Sequence, residues 1–164
     1  MNPQPITNII PMTKEHASQI SKWKYEDIYS FYDQHEDSTD EYMDGTHYAC
    51  IDENSDLIGY FCFGKGARIP TVESDAYNED YLDIGLGLRP DLCGKGLGVP
   101  FFNAGLRFAR EVYKPKGFRL SVAAFNERAV KVYERAGFKI VREVTNSYFQ
   151  NKFYVMTASI AVPV

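Results

Sequence analysis

The chain has 164 residues, 45% apolar and 24% charged, which suits one folded domain with one core and excludes a disordered chain. No apolar run reaches the roughly twenty residues that cross a membrane, and the opening MNPQPITNIIPM carries neither the basic nor the apolar region of a signal peptide. The net charge of −4 hides a split: residues 1–94 hold 6 Lys/Arg against 18 Asp/Glu, and residues 95–164 hold 12 against 4.

That split predicts two faces with different ligands, the basic half favouring an anion and the acidic half a cation. A pI near 5.4 argues against nucleic acid. Cys50, Cys62 and Cys93 are odd in number and follow no framework spacing, so reduced thiols and a cytoplasmic setting are expected. His16, His35 and His47 sit in no CxxC or HExxH pattern, and a metal site is not expected.

In chain order, 6–12 reads as a strand, and Thr13 caps a helix running to about Trp23. Residues 25–37 carry an aromatic stripe on a second short helix. Its rings, with Trp23, Tyr25, Tyr29, Phe31 and Tyr32 foremost, form either the core beneath a helical arm or the wall of a pocket that holds a cation. Residues 47–53 and 56–64 read as a strand pair turning at Asn54-Ser55. An acid-rich loop fills 65–80, and 80–88 is a strand. A helix is expected from Gly94 to about Tyr113, with Leu97, Phe101, Gly105, Phe108 and Val112 inward. Pro100 lies in its opening turns, where a missing N–H costs least. Residues 118–124 form a strand, and 126–136 a helix closed by Gly137. Residues 138–146 and 152–162 are two last strands, expected to form an antiparallel pair, and the second is a candidate for pairing across a homodimer; a monomer is also open. The crossover from 81 to 124 makes its two strands parallel, so the fold class is α/β (α+β) with a mixed, mostly antiparallel sheet of about seven strands and about four helices.

The stretch RPDLCGKGLGVPFF places Gly94, Gly96 and Gly98 between a strand and a helix. A phosphate loop of the G-x-x-x-x-G-K-[ST] kind would need a hydroxyl where Gly96 stands. A dinucleotide fingerprint would need G-x-G-x-x-G and an acid about twenty residues on, where Arg119 stands. A tight turn without a ligand and a pyrophosphate loop of another kind remain. In the latter, the N–H groups of 94–99 and the helix N-terminus face the anion.

These residues resemble the GNAT N-acetyltransferases. RPDLCGKGLG is similar to that family's acyl-coenzyme-A loop, and FNERAVKVYERAGF (125–138) to its second signature. Together they span 81–138, between an acceptor-side region (1–80) and the C-terminal strands (139–164). Cys93 departs from the usual Gln or Arg; a tolerated swap and a redox-active thiol are both open.

The resemblance implies acetyl transfer from acetyl-CoA to a primary amine in a single GNAT-type domain without a metal. The diphosphate falls to Gly94, Lys95, Gly96, Leu97, Gly98 and Val99, with added charge from Arg128 and Lys131. Leu86, Gly87 and Leu88 would hold the pantetheine and thioester, and Asn126 the cofactor. Tyr133 would protonate the leaving thiolate; at about 100° per residue it shares a helix face with Asn126, seven residues before it. The position five before Asn126, where some members carry a Glu base, is Ser121. Asp83 is the alternative base, or an anchor, with Glu79 and Asp80 behind it. The acids of 26–56 and 73–80 predict a cationic acceptor: a polyamine, an aminoglycoside or a basic peptide. A non-catalytic acyl-CoA-binding or regulatory module on the same fold is the competing expectation.

Overall fold

The computed structural model describes residues 8–33 and 39–160. Seven strands, β1 (Asn8–Pro11), β2 (His47–Ile51), β3 (Leu57–Phe63), β4 (Leu82–Leu88), β5 (Gly117–Ala123), β6 (Lys139–Thr145) and β7 (Lys152–Ser159), make one sheet. Its order is β1-β2-β3-β4-β5-β7-β6, and every neighbouring pair is antiparallel except β4 with β5. That exception follows from the crossover through α2 (Gly98–Tyr113).

α2 and α3 (Glu127–Arg135) cover one face. Phe101, Phe102, Gly105, Leu106 and Ala109 make the buried side of α2 against Phe61, Phe63, Ile84 and Leu120. A Cβ on Gly105 would collide with the Phe61 ring, so this glycine lets the helix sit directly on an aromatic strand residue. α1 (Lys14–Ser21) covers the other face, burying Ala17 and Ile20 against Met12, Tyr42, Ala49 and Leu57. The Thr13 side chain accepts the His16 N–H at 3.1 Å, the expected cap.

Four expectations are corrected. The second helix is a short 3₁₀ segment over Asp27–Tyr32, opened by Asp27 at φ +51°; its rings face several neighbours at once, and no 3.6-residue stripe forms. The remainder of the expected 25–37 helix runs into residues outside the described ones, as do 6–7 of the first strand and 161–162 of the last. α2 begins at Gly98, because Gly94 (φ +73°) and Gly96 (φ +77°) are left-handed and cannot continue a helix. Val112 is exposed, since the inward face drifts through Leu106 and Ala109 instead. β7 is an interior strand, paired on both sides by β5 and β6, so its ladder is closed to a second subunit.

The feature that positions the site is a split in the sheet. β4 pairs with β3 from Ile84 to Leu88, but with β5 only at Leu82↔Phe118 and Asp83↔Arg119. Beyond that step the two strands part.

Candidate functional site

A cleft of about 1110 Å³ passes through the sheet where β4 and β5 diverge. The register of β4 decides what its edge offers. Arg89 N–H donates to the Ile58 carbonyl and Gly64 N–H to that of Asp83, so the odd-numbered residues of β4 turn their peptide groups to β3. The peptide groups of Leu86 and Leu88 therefore face the gap. The Leu88 carbonyl accepts from the Tyr25 hydroxyl at 3.0 Å. Gly87 serves by lacking a side chain: a Cβ there would strike the Tyr60 ring lying across it.

The loop before α2 closes one end of the cleft. Gly94, Gly96, Gly98 and Val99 line it, while Lys95 and Leu97 do not. Leu97 caps α2 without a side-chain hydrogen bond. Among the described residues, the N–H groups of 94–99 have no protein acceptor. Free amides, two left-handed glycines and a helix N-terminus make a cradle that fits a diphosphate. Arg128 stands over it. Its Nη1 lies 3.2 Å from where a Gly94 Cβ would be, and its guanidinium stacks on the Tyr29 ring at 4.3 Å. Gly98 has its own packing reason, with Val132 of α3 3.0 Å from its Cβ position.

Tyr133 is buried beside the gap, its ring 4.8 Å from that of Phe102. Its hydroxyl lines the cleft and makes no hydrogen bond to the described residues. Burial pushes the phenol well above its ordinary value, with a smaller push from Tyr32, so it holds its proton at neutral pH. Asn126 also lines the cleft. Its side chain caps α3 by accepting from Ala129 N–H at 3.1 Å, and donates to the Tyr32 hydroxyl at 3.0 Å.

Asp83 lies outside the cleft lining, at the apex of the split. It is 2% exposed, and its two oxygens accept from Arg119 Nε (2.6 Å), Arg119 Nη2 (2.8 Å) and Arg68 Nε (2.8 Å). Both oxygens of this carboxylate are thus taken by guanidinium donors. Ser121 lines the cleft, its hydroxyl 2.6 Å from that of Tyr77.

The α1 side of the cleft is aromatic: Trp23, Tyr25, Tyr29, Phe31, Tyr32, Tyr42 and Tyr60. Phe31, Tyr32, Phe125, Phe149 and Phe153 also pack on one another, so the same rings serve as wall and as core. The expected acidic rim is sparse among the described residues. Only Asp33 and Glu127 of the carboxylates line the cleft, against Arg68, Arg128, Lys131 and Arg135. Three of the four acids of the 73–80 loop have other partners: Asp75 with Arg142, Asp80 with Lys116, and Glu73 with the Thr145 N–H. Glu36 and Asp37 lie outside the described residues.

Two cleft residues had no marker in the sequence. His47 lines the α1 side, its Nδ1 2.8 Å from Asp44 Oδ1. Burial would raise Asp44, but hydrogen bonds from His47 and Thr46 outweigh it and hold the carboxyl at about 2. Arg68 is the other. The Asp44-Gly-Thr-His47 spacing was readable as a turn leading into a strand, and nothing in it pointed to the cleft.

The family model described as an acetyltransferase (GNAT) domain matches residues 8–139. A mycothiol acetyltransferase from Propionibacterium freudenreichii is 45% identical over 90 residues, covering 55% of this chain and 26% of its own length. One from Corynebacterium aurimucosum is 42% identical over 71 residues, covering 43% and 22%. The chain thus spans about a quarter of the length of these curated relatives. Among solved structures, a spermidine N-acetyltransferase chimera built from a Vibrio cholerae protein superposes with a TM-score of 0.72 at 18% identity, over 93% of this chain and 95% of its own. A GNAT-family acetyltransferase from Bacillus anthracis gives 0.71 at 13%, over 93% and 94%.

Proposed function

Since the chain belongs to the GNAT acetyltransferase family, we propose that it transfers an acetyl group from acetyl-CoA to a primary amine arriving from the α1 side of the sheet. The observation that carries this reading is the unpartnered Tyr133 hydroxyl inside the split between β4 and β5.

Bound acetyl-CoA supplies a thioester carbonyl open to attack by nitrogen. The amides of 94–99 and Arg128 hold the diphosphate. The gap-facing peptide groups of Leu86 and Leu88 align the pantetheine and polarise the carbonyl. Tyr133 donates its proton to the departing sulfur. A free thiol titrates near about 8.5 and a tyrosine near about 10, so that donor is charged with its proton when needed.

The amine has to lose a proton before it attacks. Asp83 is engaged by two guanidinium groups, and Ser121 is a weak base, so we assign this step to His47 acting through water. Asp44 fixes one ring nitrogen of His47; Nε2 has no protein partner among the described residues. An imidazole held by one nitrogen leaves the other free to exchange a proton with water. The aromatic wall and Asp33 receive the ammonium form first. Of the charged residues lining the cleft, Glu127, Arg128, Lys131 and Arg135 belong to α3 at the cofactor end, which leaves Asp33 and Arg68, one charge of each sign, beside the aromatic wall on the acceptor side.

The test is release of free CoA thiol over a panel of amines, with kcat/KM followed against pH. His47→Gln lowers kcat/KM and changes its dependence on pH, with acetyl-CoA affinity unchanged. A panel without turnover sinks the enzyme reading; an unchanged profile in the variant sinks the role of His47.

A further inference from the structure

Asp83 and Arg119 bind each other by two hydrogen bonds, and both are 2% exposed. That pair is complete without a third member. Arg119 also donates to the Glu79 carbonyl at 2.9 Å, which fills its remaining edge. Arg68 nevertheless reaches in from the loop after β3 and donates Nε to Asp83 at 2.8 Å. The bond contributes little to a carboxylate already satisfied. What it does is fix the orientation of Arg68.

The rest of the Arg68 side chain is held in the same way. Its guanidinium lies 5.2 Å from the centre of the Tyr77 ring, with Arg119 at 4.9 Å from the same ring. The Tyr77 hydroxyl is anchored in turn by Ile69 N–H (3.1 Å) and Ser121 (2.6 Å). The two terminal amino groups of Arg68 have no hydrogen-bond partner among the described residues, and the side chain is 32% exposed on the cleft wall. Two guanidinium charges share one carboxylate, and neither arginine makes an ion pair with any other described acid. The cleft therefore presents one unneutralised cation with a planar pair of free donors, oriented in advance by buried partners.

We propose that the outer edge of Arg68 is a carboxylate receptor, and that the natural acceptor carries a carboxylate as well as its amine, in the manner of an amino acid. The proposal rests on the acetyl-transfer reading and names the substrate class for it. A guanidinium with its inner nitrogen occupied still offers two parallel N–H donors at its end, the geometry that matches a carboxylate. The aromatic wall of Tyr25, Tyr32 and Tyr60 lies in the same cleft and suits an apolar side chain. The sum is one cationic amine, one anion and an apolar body.

The probe is a matched pair, N-acetyl-L-phenylalanine and its carboxamide, titrated by calorimetry into protein saturated with CoA. The acetyl group removes the amine charge from both, leaving the carboxylate as the difference. The wild-type protein should bind the carboxylate about 10- to 100-fold more tightly, the range of a charge-assisted hydrogen-bonded pair. Arg68→Gln should bring the ratio close to one, and Arg68→Lys, with the charge but not the fork, should fall between. Acetyl-CoA binding should be unchanged in both, because the fixed partners of Arg68 are Asp83 and Tyr77 and none belongs to the 94–99 loop. Equal affinities in the wild type, a preference for the carboxamide, no binding of either, or a ratio that survives Arg68→Gln would each overturn the proposal. Loss of acetyl-CoA binding in the wild type would instead overturn the reading beneath it. The wild-type comparison decides the matter even if the variants fail to fold.

Discussion

The two halves of the molecule make their sites by different means. From β4 to α3 the groups aimed at the cleft are largely backbone: the peptide edge of β4, the amides of 94–99 and the N-terminus of α2. From β1 to the loop before β4 they are side chains from five separate segments, among them Trp23, Tyr32, His47, Tyr60 and Arg68. A backbone site needs particular conformations, and glycines at φ +73° and +77° print those conformations on the sequence. A side-chain site needs only that distant segments meet, and it leaves no local pattern.

The sharpest way to break this comparison is to remove the side chain that serves the backbone half as its acid. Tyr133→Phe deletes a hydroxyl that has no hydrogen-bond partner among the described residues, so the fold should be intact. General acids contribute typically about 10²–10⁴-fold, and kcat should fall by that order with acetyl-CoA affinity held within a few-fold. Burial raises the phenol, so kcat in the wild type should show no decline from Tyr133 ionisation up to at least about pH 10, the ordinary tyrosine value. An unchanged kcat in single-turnover measurements would reduce Tyr133 to packing against Phe102.

A smaller effect tests the cradle. Acetyl-CoA at a hundredfold excess over its Kd should stabilise the fold by about 2.7 kcal/mol, with NAD and ATP far behind. Gly96→Glu places a carboxylate among the phosphate-facing amides and should erase the shift. A Cβ at Gly96 meets nothing within 4 Å, so the cost to the unliganded protein is the left-handed backbone alone, about 1–2 kcal/mol. Thermal denaturation with each ligand measures both quantities. Equal shifts for all three nucleotides would show that the loop is a general anion trap.

What was legible follows the same division. The succession of strands and helices along the chain, the parallel crossover and the α1 cap at Thr13 were readable because each is set by local periodicity or by a capping side chain. The start of α2 was misplaced by four residues, because Gly94 and Gly96 were counted into the helix that they in fact precede. Asp83 was singled out from the family resemblance and its strand phase; its engagement by Arg68 and Arg119 depends on residues 15 and 36 positions away. The acidic face was inferred from a count of charges. Composition cannot say which way a carboxylate points, and those of the 73–80 loop point to Arg142 and Lys116. His47 gave no signal because its partner Asp44 is an ordinary turn residue until the fold brings the pair to the cleft wall.

The two halves also touch, and the contact predicts the smallest effect. Arg128 belongs to α3, and Tyr29 to the 3₁₀ segment of the acceptor side. The ring, 4.3 Å from the guanidinium, holds Arg128 over Gly94, where the diphosphate would lie. A cation already held in place loses less freedom on binding, so Tyr29 should strengthen acetyl-CoA binding without contacting it. An exposed cation–π contact corresponds to about a two- to fivefold change in an equilibrium constant. Tyr29→Leu should therefore weaken acetyl-CoA by about that factor in the wild-type background. In an Arg128→Met background the same substitution should do nothing, since the charge it positions is gone. Four dissociation constants, one for each corner of the cycle, measure the coupling. If Tyr29→Leu weakens acetyl-CoA equally in both backgrounds, the ring acts through the wall of the cleft and not through Arg128. The acceptor half would then meet the cofactor half only as a neighbour.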